Sequence, residues 1–226
     1  MKKLAIIAAL AAATALAAPA HAGDANGKFQ VKVLATAVLP DGKIDSGASV
    51  TNAGVLAAGM DTKANDNVVP TLAVEYFFNP NFSVETICCF TGHHVSVVTS
   101  AGTAIEHAMD HVLILPATVT FKAHLPVGPI KPYVGAGVTE FFFLGEHIGS
   151  DMNSAWTAKL DNTFGAVVQA GVDVAVNDTG MGISLDAKRY FLKPRSHFFN
   201  AAGTEVLSAQ HKLDPWVVSG GVYYRF

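Results

Sequence analysis

The sequence predicts an all-β fold, an eight-stranded antiparallel transmembrane β-barrel. Three observations carry that expectation. Half of the residues are apolar and 15% are charged, yet no run of about 18 apolar residues follows Ala22, so helical membrane spans are not expected. Eight stretches alternate with period two, as strands with different solvents on their two faces do. The last stretch sets Trp216, Val218, Gly220, Val222, Tyr224 and Phe226 against Val217, Ser219, Gly221, Tyr223 and Arg225. It ends on an aromatic residue, as the closing strand of an outer-membrane barrel would. Composition alone also fits a large soluble all-β core; the alternation and the closing strand favour the barrel.

Residues 1–22 read as a secretory signal peptide: Lys2 and Lys3 form the positive region, Leu4 to Ala18 the apolar region, and Ala20-His21-Ala22 the cleavage site. The mature chain, 23–226, is expected to be one barrel domain. Losing Lys2 and Lys3 takes the formal charge from −3 to −5, which gives no reason to expect nucleic acid as a partner. Cys88 and Cys89 are adjacent, a poor geometry for a disulfide and no metal-ligand spacing, and read as two small side chains in a strand.

The first strand, Lys28 to Leu39, faces Phe29, Val31, Val33, Ala35 and Ala37 one way and Gln30, Lys32, Leu34 and Thr36 the other. Pro40-Asp41-Gly42 breaks it, and a long Gly- and Ala-rich loop follows. The second strand, Pro70 to Phe78, and the third, Phe82 to Phe90, are joined by the tight turn Asn79-Pro80-Asn81 and place Glu75 and Glu85 on their less apolar faces. A second long connection, Thr91 to about His111, leads to the fourth strand, Val112 to His124, where Pro116 predicts a bulge or a weakly paired segment. In the fifth strand, Lys131 to Leu144, Glu140 shares a parity with Val134, Ala136 and Val138, which a bulge near Gly135 to Gly137 would repair. After the loop Gly145 to Leu160, the sixth strand, Asp161 to Val176, turns Gln169 and Asp173 inward. Asn177-Asp178-Thr179-Gly180 turns the chain into the seventh strand, whose inner face carries Ser184, Asp186, Lys188 and Tyr190. Arg189 falls on its outer face and is expected at the membrane boundary. The loop Leu192 to His211 leads to the eighth strand. Long and short connections alternate, so both termini lie on the short-turn, periplasmic side.

Several stretches resemble the outer-membrane protein W family of small eight-stranded barrels. They are Tyr76-Phe77-Phe78-Asn79-Pro80-Asn81 with Ser83-Val84-Glu85, then Lys131-Pro132-Tyr133-Val134-Gly135-Ala136-Gly137, then Gly165 to Asp173 with Asn177-Asp178, and Asp214-Pro215-Trp216 with Gly221 to Phe226. The resemblance implies a bacterial outer-membrane location and a barrel too narrow for a water-filled channel. It also implies an apolar pocket opening from outside, which accepts small hydrophobic molecules and releases them sideways through a gap in the wall. The first loop, unlike that of better-known members, is poor in aromatics, so the ligand stays open.

An eight-stranded barrel is nearly filled by its own side chains. The inward polar candidates are Gln30, Lys32, Glu75, Glu85, Lys122, Gln169, Asp173, Asp186, Lys188 and Arg225, read as an ion-pair network that holds the barrel in preference to a conduction path. Candidates for the apolar pocket are Val55, Leu56, Met60, Phe141, Phe142, Phe143, Leu144 and Trp156. A plain aromatic girdle accounts for the phenylalanines equally, although three consecutive ones cannot all face lipid. His93, His94, His107, His111, His147, His197 and His211 lie on loops without a carboxylate or cysteine at ligand spacing and read as solvated surface. No nucleophile, phosphate-loop or paired-carboxylate motif occurs, so no enzyme activity and no cofactor are expected. The expected partners are outer-membrane lipid, small hydrophobic solutes and, through the C-terminal strand, the barrel-assembly machinery. The alternative is a structural, adhesive or receptor barrel acting through its long loops.

Overall fold

The computed structural model describes residues 23–24, 26–44, 61–88, 91–99, 102–145, 147–150 and 156–226. The signal-peptide residues, Val55, Leu56, Met60, Cys89 and Phe90 lie outside them. In chain order the strands are β1 Phe29–Leu39, β2 Gly42–Ile44, β3 Asp61–Ala64, β4 Asn67–Asn79, β5 Phe82–Cys88, β6 Thr91–Thr99 and β7 Gly102–His124. Then follow β8 Ile130–Leu144, β9 His147–Ile148, β10 Thr157–Leu160, β11 Thr163–Ala175, β12 Met181–Phe191, β13 Arg195–Phe199, β14 Glu205–Leu213 and β15 Trp216–Arg225. Among the described residues no helix is long and apolar enough to cross a membrane.

Eight of these strands close a barrel in the order β4-β1-β15-β12-β11-β8-β7-β5, with β5 returning to β4. Every neighbouring pair is antiparallel, and β1 meets β15 in unbroken register from Gln30↔Arg225 to Leu39↔Trp216. Closure pairs the backbone of every barrel strand with a neighbour on both sides, the condition for crossing a medium without water. Outward side chains are apolar and exposed, among them Val33, Val134, Leu185 and Val222. Below the wall's midpoint seven rings make a continuous run, Tyr224, Phe226, Phe29, Tyr76, Phe78, Phe121 and Phe82, with successive centroids 5.1 to 6.3 Å apart. The run follows the edge formed by β15, β1, β4, β5 and β7. At the opposite rim the outward rings are Phe142, Phe164, Phe191 and Trp216, on β8, β11, β12 and β15.

The structure departs from expectation in three places. First, β8 contains no bulge: it pairs with β7 from His124↔Tyr133 to Leu113↔Leu144 and with β11 from Val174↔Ile130 to Thr163↔Phe141 without a shift. Glu140 therefore stays on the outward face, near the extracellular end of the strand where the cost of a charge falls. Second, the β7–β8 ladder also runs straight through Pro116↔Phe141. On the other side Ile87↔Thr118 and Thr91↔Ile114 keep one register around Pro116, and the residues opposite it are not among those described. Third, the long connections carry strands of their own. The 23 residues of β7 extend about 75 Å at roughly 3.3 Å per residue, far beyond a hydrocarbon core of about 30 Å. The excess pairs with β6, which pairs with β3, and a four-stranded sheet β10-β13-β14-β2 stands beside it.

Candidate functional site

The inward side chains divide the barrel into storeys. The lower storey is a plug of buried charge. Lys32 Nζ lies 3.1 Å from Glu75 and from Asp173 and 3.5 Å from Glu85. Lys122 Nζ lies 2.9 Å from both Glu75 and Glu85. Lys188 Nζ reaches Glu85 at 3.1 Å and Asp186 at 2.6 Å. Neutral donors complete the coordination: Gln169 Nε2 donates to Glu85 and Asp186 at 2.9 and 2.7 Å, Gln30 to Asp173 at 2.8 Å, and the Tyr133 hydroxyl to Asp186 at 2.9 Å. Each lysine has two or more carboxylate partners, and Asp173 and Asp186, with one lysine each, are completed by neutral donors, which is what makes burial of charge tolerable. Two tyrosines fit the narrow bore because they lie over glycines. A Cβ on Gly171 would strike the Tyr133 hydroxyl, and one on Gly182 the Tyr223 ring.

Of the sequence candidates, Lys32, Glu75, Glu85, Lys122, Asp173, Asp186 and Lys188 thus meet in one network. Arg225 does not join it. Its side chain is inward and buried, but Nε donates to the Gly27 carbonyl at 2.6 Å and the guanidinium lies 3.7 Å from the Phe77 ring centroid, at the periplasmic mouth. The last inward position of a strand points at the mouth, so parity alone assigns it to the interior without placing it at plug level. Tyr133 and His124 were not among the network candidates, although both lie at inward parity beside Lys122.

Above the plug runs a belt of hydroxyls, with Thr36 2.9 Å from Ser219 and Thr118 2.7 Å from Thr139. Higher still, the interior turns apolar. Val38, Val69, Val112, Ile114, Phe141, Phe143, Val167, Tyr190 and Val217 point in from the barrel strands, and Met109, Leu160, Leu192 and Phe198 close over them. Trp156 packs against this cluster from the third loop. Phe141 and Phe143 therefore point inward and belong to this cluster. Phe142 and Leu144 do not, because strict alternation turns them to the outer wall. The cluster's other barrel-strand members are hard to read from sequence because each strand contributes only one or two of them. Their signature is a change of character along the inward face, from Lys32 to Val38 on β1, Lys188 to Tyr190 on β12 and Tyr223 to Val217 on β15.

The histidines are not uniformly solvated. His93 is buried, with Nε2 3.0 Å from Thr91 Oγ1 and Nδ1 2.9 Å from the Asn65 carbonyl; burial pushes its pKa down and that carbonyl only partly restores it. His197 sits between Glu205, 2.9 Å from Nδ1, and Asp161, 3.1 Å from Nε2. Burial alone would lower its pKa, but the two carboxylates prevail and raise it. These carboxylates contact opposite ring nitrogens, so the three groups do not converge as metal ligands would. The side chain of His111 lies outside the described residues.

A closed, narrow, eight-stranded wall with a charged floor and an apolar cluster packed above it is thus in place, and the OmpW family model matches residues 25–226. The chain belongs to the OmpW family. This OmpW-family barrel is 33% identical over 215 residues to the uncharacterized outer-membrane protein y4mB of Sinorhizobium fredii, an alignment covering 92% of this chain and 85% of that protein. It is 29% identical over 160 residues to a putative outer membrane protein of Rickettsia conorii, covering 66% and 62% of the two chains. Among solved structures it resembles the outer membrane protein OprG from Pseudomonas aeruginosa, with a TM-score of 0.75 at 21% identity over 90% of this chain and 98% of that one. It also resembles AlkL in lipid bilayers, with a TM-score of 0.68 at 18% identity over 92% and 94%. Both likenesses are of fold. The protein is a bacterial outer-membrane barrel.

Proposed function

We propose that this barrel passes small hydrophobic molecules from its extracellular mouth sideways into the outer membrane. The observation that carries the reading is the two-storey interior: an apolar cluster stands directly above a floor sealed by seven interlocked charges. A nonpolar guest can replace apolar side-chain contacts with its own, whereas it cannot satisfy the plug's charges. Its exit is therefore lateral. The wall beside Pro116 is the candidate, because proline withholds one ladder hydrogen bond and its buried side chain lies beside Ile114 and Phe141 at the chamber's base. Outer-membrane lipid is then the receiving partner, and the C-terminal strand β15 offers itself to the barrel-assembly machinery. A non-enzymatic role agrees with the Ser/His/acid contact found in the wall among the described residues. Ser83 Oγ and Glu75 Oε1 both address His124 Nε2, at 2.8 and 3.0 Å, so the acid does not orient the ring through Nδ1 as a catalytic triad requires.

The adhesive or receptor reading draws on the four-stranded sheet standing above the wall. Naphthalene uptake by cells with and without the protein separates the two. The native barrel should accelerate uptake, Phe143→Glu should abolish the gain, and Pro116→Ala should slow it, with resistance to dodecyl sulfate confirming that each barrel is folded. Uptake equal to that of cells lacking the protein, for the native chain itself, would refute transport.

A further inference from the structure

We propose that the periplasmic mouth of the barrel is a binding site for small organic anions, a carboxylate carried on a short apolar body. The mouth is a cavity of about 760 Å³ bounded by the short turns, with Lys28, Lys131 and Arg225 among its lining residues. That volume is within the roughly 300–1,000 Å³ typical of small-molecule sites. Its three cations face one lining acid, Asp178, which is exposed. Among the described residues the ion pairs of the plug engage Lys32, Lys122 and Lys188, and none engages Lys28, Lys131 or Arg225. The plug itself holds three lysines against four carboxylates, so its surplus and Asp178 together offset two of the three cations and leave one.

Arg225 makes the mouth a built site rather than a basic fringe. It is 5% exposed, its Nε is committed to the Gly27 carbonyl, and the Phe77 ring holds the guanidinium from one side. A guanidinium fixed in this way presents its terminal N–H groups in a set direction, the geometry that suits a carboxylate. A buried cation without an ion-pair partner is also costly, so a counter-charge from outside is favoured. The walls supply the second half of the specificity: Phe77 brings apolar surface to the same cavity, as do Pro80, Pro126 and Pro129 on conformationally restricted backbone. An inorganic ion would meet the charge and leave that surface wet. The charged plug closes the inner end of the cavity, so an anion bound here is retained at the periplasmic face and does not share the route of a hydrophobic guest above.

The test is titration of the folded, mature barrel in a neutral maltoside detergent with 4-fluorobenzoate, followed by fluorine NMR, beside 4-fluorobenzyl alcohol and inorganic phosphate. Saturable binding of the benzoate is expected, weakened about tenfold, or 1.4 kcal/mol, in Lys28→Gln/Lys131→Gln and restored in Lys28→Arg/Lys131→Arg. Both variants spare the plug and Arg225, so they should fold. Equal binding of the alcohol would reduce the site to apolar partition, and equal competition by phosphate would reduce it to charge alone; either overturns the proposal, as does the absence of saturation. Naphthalene uptake is read at the opposite mouth, so its outcome is independent of this one.

Discussion

The lower and upper halves of the bore are lined by the same eight strands and filled on opposite principles. Around Lys32 and Lys122 the filling is directional: each ammonium needs its carboxylates at hydrogen-bond distance, and nothing else fits. Around Val112 and Phe143 it is non-directional, and any apolar body of suitable size makes equivalent contacts. The difference shows how one closed wall can block ions and still admit a greasy guest. Rigidity is concentrated where leakage must be prevented, and adaptability where recognition is loose.

The largest effect should come from the directional half. Glu85→Gln leaves Lys32, Lys122 and Lys188 competing for the remaining carboxylates, and unfolding in detergent with urea should register a loss of about 3–5 kcal/mol. Were the loss below 1 kcal/mol, the plug would not be what stiffens the wall. In the belt between the halves, Thr118→Val strands the Thr139 hydroxyl and should cost about 1–2 kcal/mol by the same measurement. In the upper half, Ile114→Val should cost about 1 kcal/mol while shifting the size preference of uptake toward bulkier solutes. Outside the bore, Asp41→Asn removes the partner 3.2 Å from Arg189 and should change stability by less than about 1 kcal/mol, since such pairs are screened.

The smallest effect is on pH dependence, where the two loop histidines oppose each other. His197 has a folded pKa raised above the ordinary 6.5. Its contribution is complete below that value and is lost as pH climbs through the folded one. His93 has a lowered pKa, so its contribution is complete above 6.5 and is lost as pH falls through the folded value. Replacing His197 with Asn should flatten the alkaline limb of a melting-temperature profile, and replacing His93 with Gln the acid limb. Identical profiles for the two variants would contradict the contrast.

The barrel was legible because oil and a polar filling write opposite characters onto alternate residues, and the inward set from Lys32 to Lys188 follows from parity. Parity misled where the solvent changes along a strand. Glu140 suggests a bulge only if the whole outer face of β8 meets lipid, and parity puts Arg225 with the plug because it separates inward from outward and not centre from mouth. The strands above the membrane, β6 and the first half of β7 among them, leave little trace, since segments with no lipid on either face have no reason to alternate strictly. The apolar cluster draws nine residues from seven strands of the wall, and each is unremarkable alone.

The outward rings occupy opposite corners. Seven hug the inner leaflet's border along the flank from β15 to β7, while three of the four at the outer border, Phe142, Phe164 and Phe191, stand on the flank from β8 to β12, with Trp216 beside them on β15. Aromatic side chains favour the headgroup level, so the molecule is moored diagonally. A thinner or thicker bilayer would lean it like a boat on two lines, and polarised infrared spectra of the strands in short- and long-chain lipids would record the change of angle.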